Sequence, residues 1–380
     1  MPPRPHPAGI DTTGTSKATP GGADSHSAAP TPRSAGTPLT TRVRRAGNGL
    51  PGFVLAVAVA VVATFAGIEV PVVGGPVFGI VLGVLVATVL RPGDRLRPGL
   101  AFAARPVLQG SIVLLGATLS LQQVAQVGRS SLPVMLGTLA VALLGACGLG
   151  RLLGVRGDTQ LLIGVGTGIC GASAIAATQA VIRAKDSQVA YAIGTIFTFN
   201  IVAVLAFPQI GHLLHLTPHA FGLWAGTAIN DTSSVVAAAY AYGGDAGSYA
   251  VVVKLTRSLM IIPIVTALTL WAARREPSGG QGSQGFSLRA LPWRKLVPVF
   301  LVGFVAAAAL NSAGVVPSSW HSALTVTGTF LITTALAGIG LSLRLGDLRR
   351  AGIRPLLLGA GLWVLVAAAS LGLQAVTGTL

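Results

Sequence analysis

A run of polar residues interrupts an otherwise apolar stretch between Gly226 and Arg257: Asn230, Asp231, Thr232, Ser233 and Ser234, followed by Lys254 and Arg257. An aspartate can carry a proton or hold a cation. Lysine and arginine attract anions, and arginine can grip an oxyanion with two parallel bonds. Each ionisable group at membrane depth costs roughly 2.5–3.5 kcal/mol on insertion scales, so the two cations together cost roughly 5–7 kcal/mol before any partner is found. A polar cavity, an ion pair or a bound anion must offset that, and the stretch reads as half of a substrate site. Arg257 stands about ten residues into its apolar run, too deep to reach the interface easily; Lys254 is shallower and could snorkel. If both face inward, Asp231 can neutralise one, and the charge left over draws an anion.

Asn230, Ser233 and Ser234 are spaced i, i+3 and i+4, which on a continuous helix places them on one face. Asn-Asp-Thr-Ser before Val-Val-Ala-Ala-Ala is also good N-cap chemistry for a helix that restarts. The two readings are compatible, because a helix restarting mid-membrane is a broken helix. A second such place is the run LLIGVGTGICGASAIAATQAVI. Gly166, Gly168 and Gly171 match the spacing of a dinucleotide fingerprint, but that motif needs a preceding strand, and these glycines lie inside an apolar span. Close helix packing through Gly164 and Gly168 is one reading. The other is a break at Gly166–Gly171 with the Thr167 and Ser173 hydroxyls beside freed backbone groups, and a half-helix from Ala172 whose positive end faces an anion. Asn200, Thr195 and Thr198 are weaker candidates. His212, His215 and His219 are spaced irregularly and read as interfacial, as does His321.

The elements that must position these residues are membrane helices. Hydrophobic residues make up 52% of the 380, charged residues 9%, against about 25% charged in soluble domains. Mean hydropathy is +0.74. Eleven apolar segments lie near 52–71, 75–90, 101–121, 132–150, 161–181, 188–207, 219–241, 247–271, 296–312, 321–343 and 355–377. The expected fold is an all-α polytopic membrane protein with about 10–11 transmembrane helices, inverted repeats and broken helices. Residues 1–50, rich in Pro, Gly, Ser, Thr and Ala, form a tail too poor in aliphatic residues to fold; residues 51–380 form the transmembrane domain. Glu276–Gly285 reads as a linker.

The net charge of +16 reflects orientation rather than nucleic-acid binding. With the N-terminus inside and every segment crossing, the cytoplasmic connections hold most of the Arg and Lys, and the external ones hold Arg129, Arg183 and Lys185. Leu119–Gly137 and Leu341–Gly359 align without a gap and share Leu-Ser-Leu and Pro-x-x-Leu-Gly. Seven crossings separate them, so the copies point in opposite directions, the pattern of secondary transporters. Cys147 and Cys170 sit in apolar runs and read as small hydrophobes.

The blocks GTGICGASAIAA, FGLWAGTAINDTSSVVAAA and AVVVKLTRSLMIIP, in this order, resemble the signature blocks of the sulfate-exporter family of bacterial membrane proteins. The resemblance runs from about Gly52 to the C-terminus. It implies export of a small inorganic anion of the sulfate or sulfite type across the inner (plasma) membrane. Many members carry His-Asp-Val-Ala-Gln at Asn230–Ser234; here the aspartate is kept and the histidine is not, so Asp231 is the sole acid. Leu119–Phe207 also looks like the bile-acid sodium symporter and sodium–proton antiporter superfamily, in which a broken crossing helix has a symmetry mate. Nothing after the last segment supplies that mate, and the segment at 219–241 is the candidate for its place.

The expected site comprises Gly166, Thr167, Gly168, Gly171, Ser173, Asn230, Asp231, Ser233, Ser234, Lys254 and Arg257. Its expected partners are the lipid bilayer, a small anion and a coupling cation (proton or sodium), with homo-oligomerisation left open. No cofactor, metal or catalytic dyad is expected. Alternatives are a sodium–proton or organic-acid exchanger and, from another class, a membrane sensor or enzyme without net transport.

Overall fold

A computed structural model of the chain describes residues 50–69, 74–90, 92–275, 298–342 and 353–380. The expected tail, the linker Glu276–Gly285 and part of the second repeat copy lie outside the described residues. The described residues form an all-α polytopic membrane protein. Seven helices are long and apolar enough to cross a bilayer: α1 (Leu50–Glu69), α3 (Arg97–Gly116, with one wide turn), α4 (Leu121–Leu152), α7 (Asp186–Leu213), α10 running on into α11 (Ala246–Ser258 and Ile261–Arg275), α13 (Ser318–Ser342) and α14 (Ile353–Thr377). The shorter apolar helices α2 (Gly74–Leu90) and α12 (Val299–Ser312) pack beside them.

The two polar-interrupted segments are built differently. Each is a pair of 11-residue helices: α5 (Asp158–Gly168) with α6 (Ala172–Ile182), and α8 (Pro218–Ala228) with α9 (Thr232–Tyr242). A helix of that length spans about 16 Å, roughly half of a hydrocarbon core about 30 Å thick. The pairs do not continue across the membrane; they fold back.

For the second pair the contact is direct. The Tyr242 hydroxyl, at the end of α9, donates to the Leu216 carbonyl just before α8. The Tyr242 ring stacks 3.9 Å from that of Phe221 and 4.2 Å from that of His212. Pro218, at the start of α8, lies against Gly244, two residues past the end of α9.

For the first pair the direction of its neighbours decides. Leu373 lies against Gly137, Leu362 and Leu365 against Gly145, and Arg354 against Gly154, so α4 and α14 are antiparallel. Gly359 packs on Thr195 and Phe199, and Trp363 stacks 5.8 Å from Phe199 before reaching Phe207, so α7 and α14 are parallel. Hence α4 and α7 are antiparallel, which a full crossing between them would forbid. The α5–α6 pair therefore enters and leaves on one face, and Ile175 of α6 packs back against Gly166 of α5.

Because α7 traverses between them, the hairpins enter from opposite faces and meet tip to tip. This corrects the expected crossing count and the side of one connection. Arg183 and Lys185, expected on the sparsely charged face, lie on the face that carries Arg95, Arg97, Arg151, Arg156 and Arg354. The opposite face carries Arg129 with His212 and His215. Removing two crossings leaves the parity of the repeat unchanged, and α4 against α14 is the antiparallel pairing that the aligned repeat implies. In the packing, α8 lies along α14 as α5 lies along α4.

Several crossing helices touch both hairpins, α7 and the α10–α11 run among them. Along α7, Ile196 packs on Gly166 and Gly171 of the first hairpin, and Ala203 and Phe207 join the cluster around Ala228, Ile229 and Val235 of the second. Along α10 and α11, Ala250 and Val253 lie against Gly226, while Ile261 and Val265 pack with Val165, Ile169, Cys170 and Ala174. Lys254 and Arg257 stand where α10 passes from one hairpin to the other.

Candidate functional site at the meeting of two hairpin tips

Each tip breaks because its sequence cannot stay helical. Gly171 adopts φ 66°, a positive value that residues with a side chain rarely take, and is the N-cap of α6. At the second tip Ile229 turns extended and Asp231 becomes the N-cap of α9. One Asp231 carboxylate oxygen accepts from the Ser233 N–H at 3.0 Å and the Ser234 N–H at 3.3 Å, and from the Ser233 hydroxyl. The N-cap reading of Asn-Asp-Thr-Ser thus describes the local geometry. The shared helical face of Asn230, Ser233 and Ser234 does not arise, because Asn230 lies outside the helix.

The C-terminal ends of α5 and α8 leave carbonyls without intrahelical partners, carrying the negative end of the helix dipole. The two cations of α10 satisfy them. Lys254 Nζ donates at 2.9 Å to the Ile169 carbonyl and at 2.9 Å to the Ile229 carbonyl, joining the two tips through one ammonium. Arg257 Nε donates to the Gly168 carbonyl and Nη2 to the Thr167 carbonyl, both at 2.9 Å. Lys254 is 0% and Arg257 1% exposed. The desolvation cost that the sequence demanded be offset is met by four charge-assisted bonds to backbone oxygens.

This departs from the expectation that Asp231 neutralises one cation and the other grips an oxyanion bidentately. Among the described residues, no carboxylate lies within 4 Å of either cation. Arg257 has spent its forked donors on consecutive carbonyls; Nη1 is buried without a partner. Snorkelling of Lys254 is likewise excluded by its burial.

The other expected residues divide. Gly166, Thr167 and Gly168 form the buried last turn of α5, and their backbone oxygens matter more than their side chains. Gly171 and Asn230 touch across the tips, with Asn230 Cβ 3.6 Å from where a Cβ on Gly171 would stand. Asn230 is 1% exposed and its Oδ1 has no partner. Asp231, Ser233 and Ser234 are half-buried, and Ser173 is exposed.

Asn200, a weaker candidate by sequence, is buried in α7. Both its side-chain atoms are buried without partners, one turn after Ile196 on α7. Thr195 and Thr198 only bond back to carbonyls of their own helix. The Ile169 and Ile229 carbonyls left no signal in the side-chain sequence. Cys170, read as a small hydrophobe, lies buried at the first tip. His212 stacks on Tyr242 and His219 on Tyr249, away from the tips.

Residues 51–359 match the family described as conserved hypothetical protein 698. Among similar proteins are a UPF0324 membrane protein of Streptococcus pyogenes serotype M3, 41% identical over 88% of this chain and 98% of its own, and one of Streptococcus agalactiae serotype V, 39% identical over 87% and 98%. A third, from Streptococcus pneumoniae, is 41% identical over 81% of this chain and 91% of its own. By the extent of these matches, the chain belongs to the conserved hypothetical protein 698 family, the UPF0324 membrane proteins.

Proposed function

We propose that this protein is a secondary active transporter that exports a small inorganic anion of the sulfate or sulfite type by alternating access, coupled to a proton or sodium gradient. The observation that carries the reading is the Lys254 ammonium held between the Ile169 and Ile229 carbonyls, which ties together hairpins entering from opposite faces. Irregular backbone at membrane depth is tolerated only where protein buries it or it lines a cavity, and interrupted helices meeting near the midplane are where secondary transporters bind their solutes. On this reading the two hairpins are the gates toward the two faces. Lys254 and Arg257 hold the tips in register, Asp231 carries the coupling cation, and the tip residues from Gly166 to Ser173 and from Asn230 to Ser234 shape the path. The more basic face, with the N-terminus, is cytoplasmic in the inner (plasma) membrane by the positive-inside rule.

The test is flux in proteoliposomes with sulfate, sulfite and small carboxylates, with and without sodium or pH gradients. Asp231→Asn keeps the helix cap, because Asn and Asp cap about equally well. That variant is expected to fold as the parent and to lose gradient dependence. Gradient dependence that survives the substitution removes Asp231 from coupling. The absence of flux for every anion removes the transporter reading.

A further inference from the structure

We infer that the hairpin junction holds an enclosed site for a monovalent oxyanion, built from Arg257 Nη1, Asn230 and Asn200, and that it discriminates against dianions such as sulfate. The inference rests on the transporter reading above, but it replaces the sulfate-type substrate proposed there with a monovalent anion.

The first support is the set of unsatisfied polar atoms. Arg257 Nη1, Asn230 Oδ1 and both amide atoms of Asn200 are buried without hydrogen-bond partners, on residues no more than 3% exposed. Buried polar groups are nearly always paired, so unpaired ones on elements that meet at the junction call for a polar occupant. Their placement is set by the first tip. Arg257 is bonded to the Thr167 and Gly168 carbonyls. Ile196 and Asn230 both lie within 4 Å of the Cβ position of Gly171. Asn200 follows Ile196 by one turn, before Ala203 meets the second hairpin. Guanidinium and amide N–H groups are the donors that small oxyanions use; the two amide oxygens accept from a protonated oxygen of the anion or from a water that travels with it.

The second support is the charge at the junction. Two helix C-termini meet the cations there and two helix N-termini begin there. Each end carries about half a unit charge, so the negative pair and the positive pair cancel. Counted as formal charges, the Asp231 carboxylate at the second tip offsets one of the two cations without pairing with either. One formal positive charge is left over, beside the spare donor of Arg257. A monoanion neutralises the site, whereas a dianion leaves an unpaired negative charge in a buried place, which is costly.

The experiment uses the purified full chain in proteoliposomes at mildly alkaline pH, comparing labelled formate and nitrite with sulfate. Monoanion flux is expected to exceed sulfate flux by about tenfold or more. Asn200→Leu removes two atoms that make no bond within the protein, so the unfolding temperature should hold or rise while monoanion flux falls about tenfold. A purely structural asparagine would move both together. Should the leucine variant not assemble, Asn200→Ser is expected to give the same loss of flux. Asp231→Asn adds one positive charge to the balance and is expected to narrow the preference over sulfate about fivefold or more. Sulfate carried as fast as formate overturns the charge argument while leaving the transporter reading standing. Full monoanion flux in Asn200→Leu overturns the site. Failure of the parent chain to carry any anion takes down both readings.

Discussion

Lys254 is the residue through which the two hairpins are joined, and Lys254→Met keeps its length while removing its charge and donors. The substitution leaves the Ile169 and Ile229 carbonyls buried and unpaired. A hydrogen bond from a charged donor is worth about 1.5–3 kcal/mol, so the two together represent about 3–6 kcal/mol. Against this stands relief from holding a wholly buried ammonium, an effective penalty of several kcal/mol that excellent geometry only partly repays. The loss of a cation at two helix C-termini adds about 0.3–1 kcal/mol at each. The net expectation is destabilisation of the joined tips by about 2–4 kcal/mol, a shift of roughly 30- to 1,000-fold in their equilibrium. Two assays read it. The unfolding temperature in detergent should fall. Alkylation of Cys170, slow in the parent because the first tip buries it, should speed up by about tenfold or more in a Cys147→Ser background. An unchanged unfolding temperature and unchanged Cys170 reactivity, with anion flux alone abolished, would refute the clamp and return Lys254 to the role of a substrate ligand.

Two further outcomes follow from the geometry. Gly171→Ala places a side chain at φ 66° and 3.2 Å from Ile196 Cγ2, and a strained backbone of this kind costs about 1–3 kcal/mol; a lowered unfolding temperature is expected, whereas Gly148→Ala, with open space around its Cβ position, should be neutral or slightly stabilising. Cysteines introduced at the exposed Arg156 and Lys185 should react with a membrane-impermeant maleimide from one side, and those at His215 and Asp245 from the other; labelling of positions 156 and 185 from opposite sides would show that α5 and α6 cross the membrane after all.

The residues at the breaks were legible because their chemistry is local. Gly171 and the Asn-Asp-Thr-Ser run cannot continue a helix without strain or an unused cap, so the chain itself dictates where α6 and α9 begin. Hydropathy likewise set the eleven apolar segments, since every residue facing lipid or a dry core must be apolar. It could not say whether two 11-residue helices in series go on through the bilayer or turn back, because both arrangements bury the same side chains. Only packing decides that: Tyr242 reaching Leu216, Ile175 returning to Gly166, and α7 running against α4.

The partners of Lys254 and Arg257 were hidden for a related reason. The sequence showed that two deep cations needed negative partners, and Asp231 was the one visible side chain of that kind. The oxygens that hold them belong to the peptide groups of Thr167, Gly168, Ile169 and Ile229. Every residue carries such an oxygen. It becomes an unsatisfied, negatively polarised group only where a helix ends, and two such ends come within reach of one lysine only when two hairpins meet.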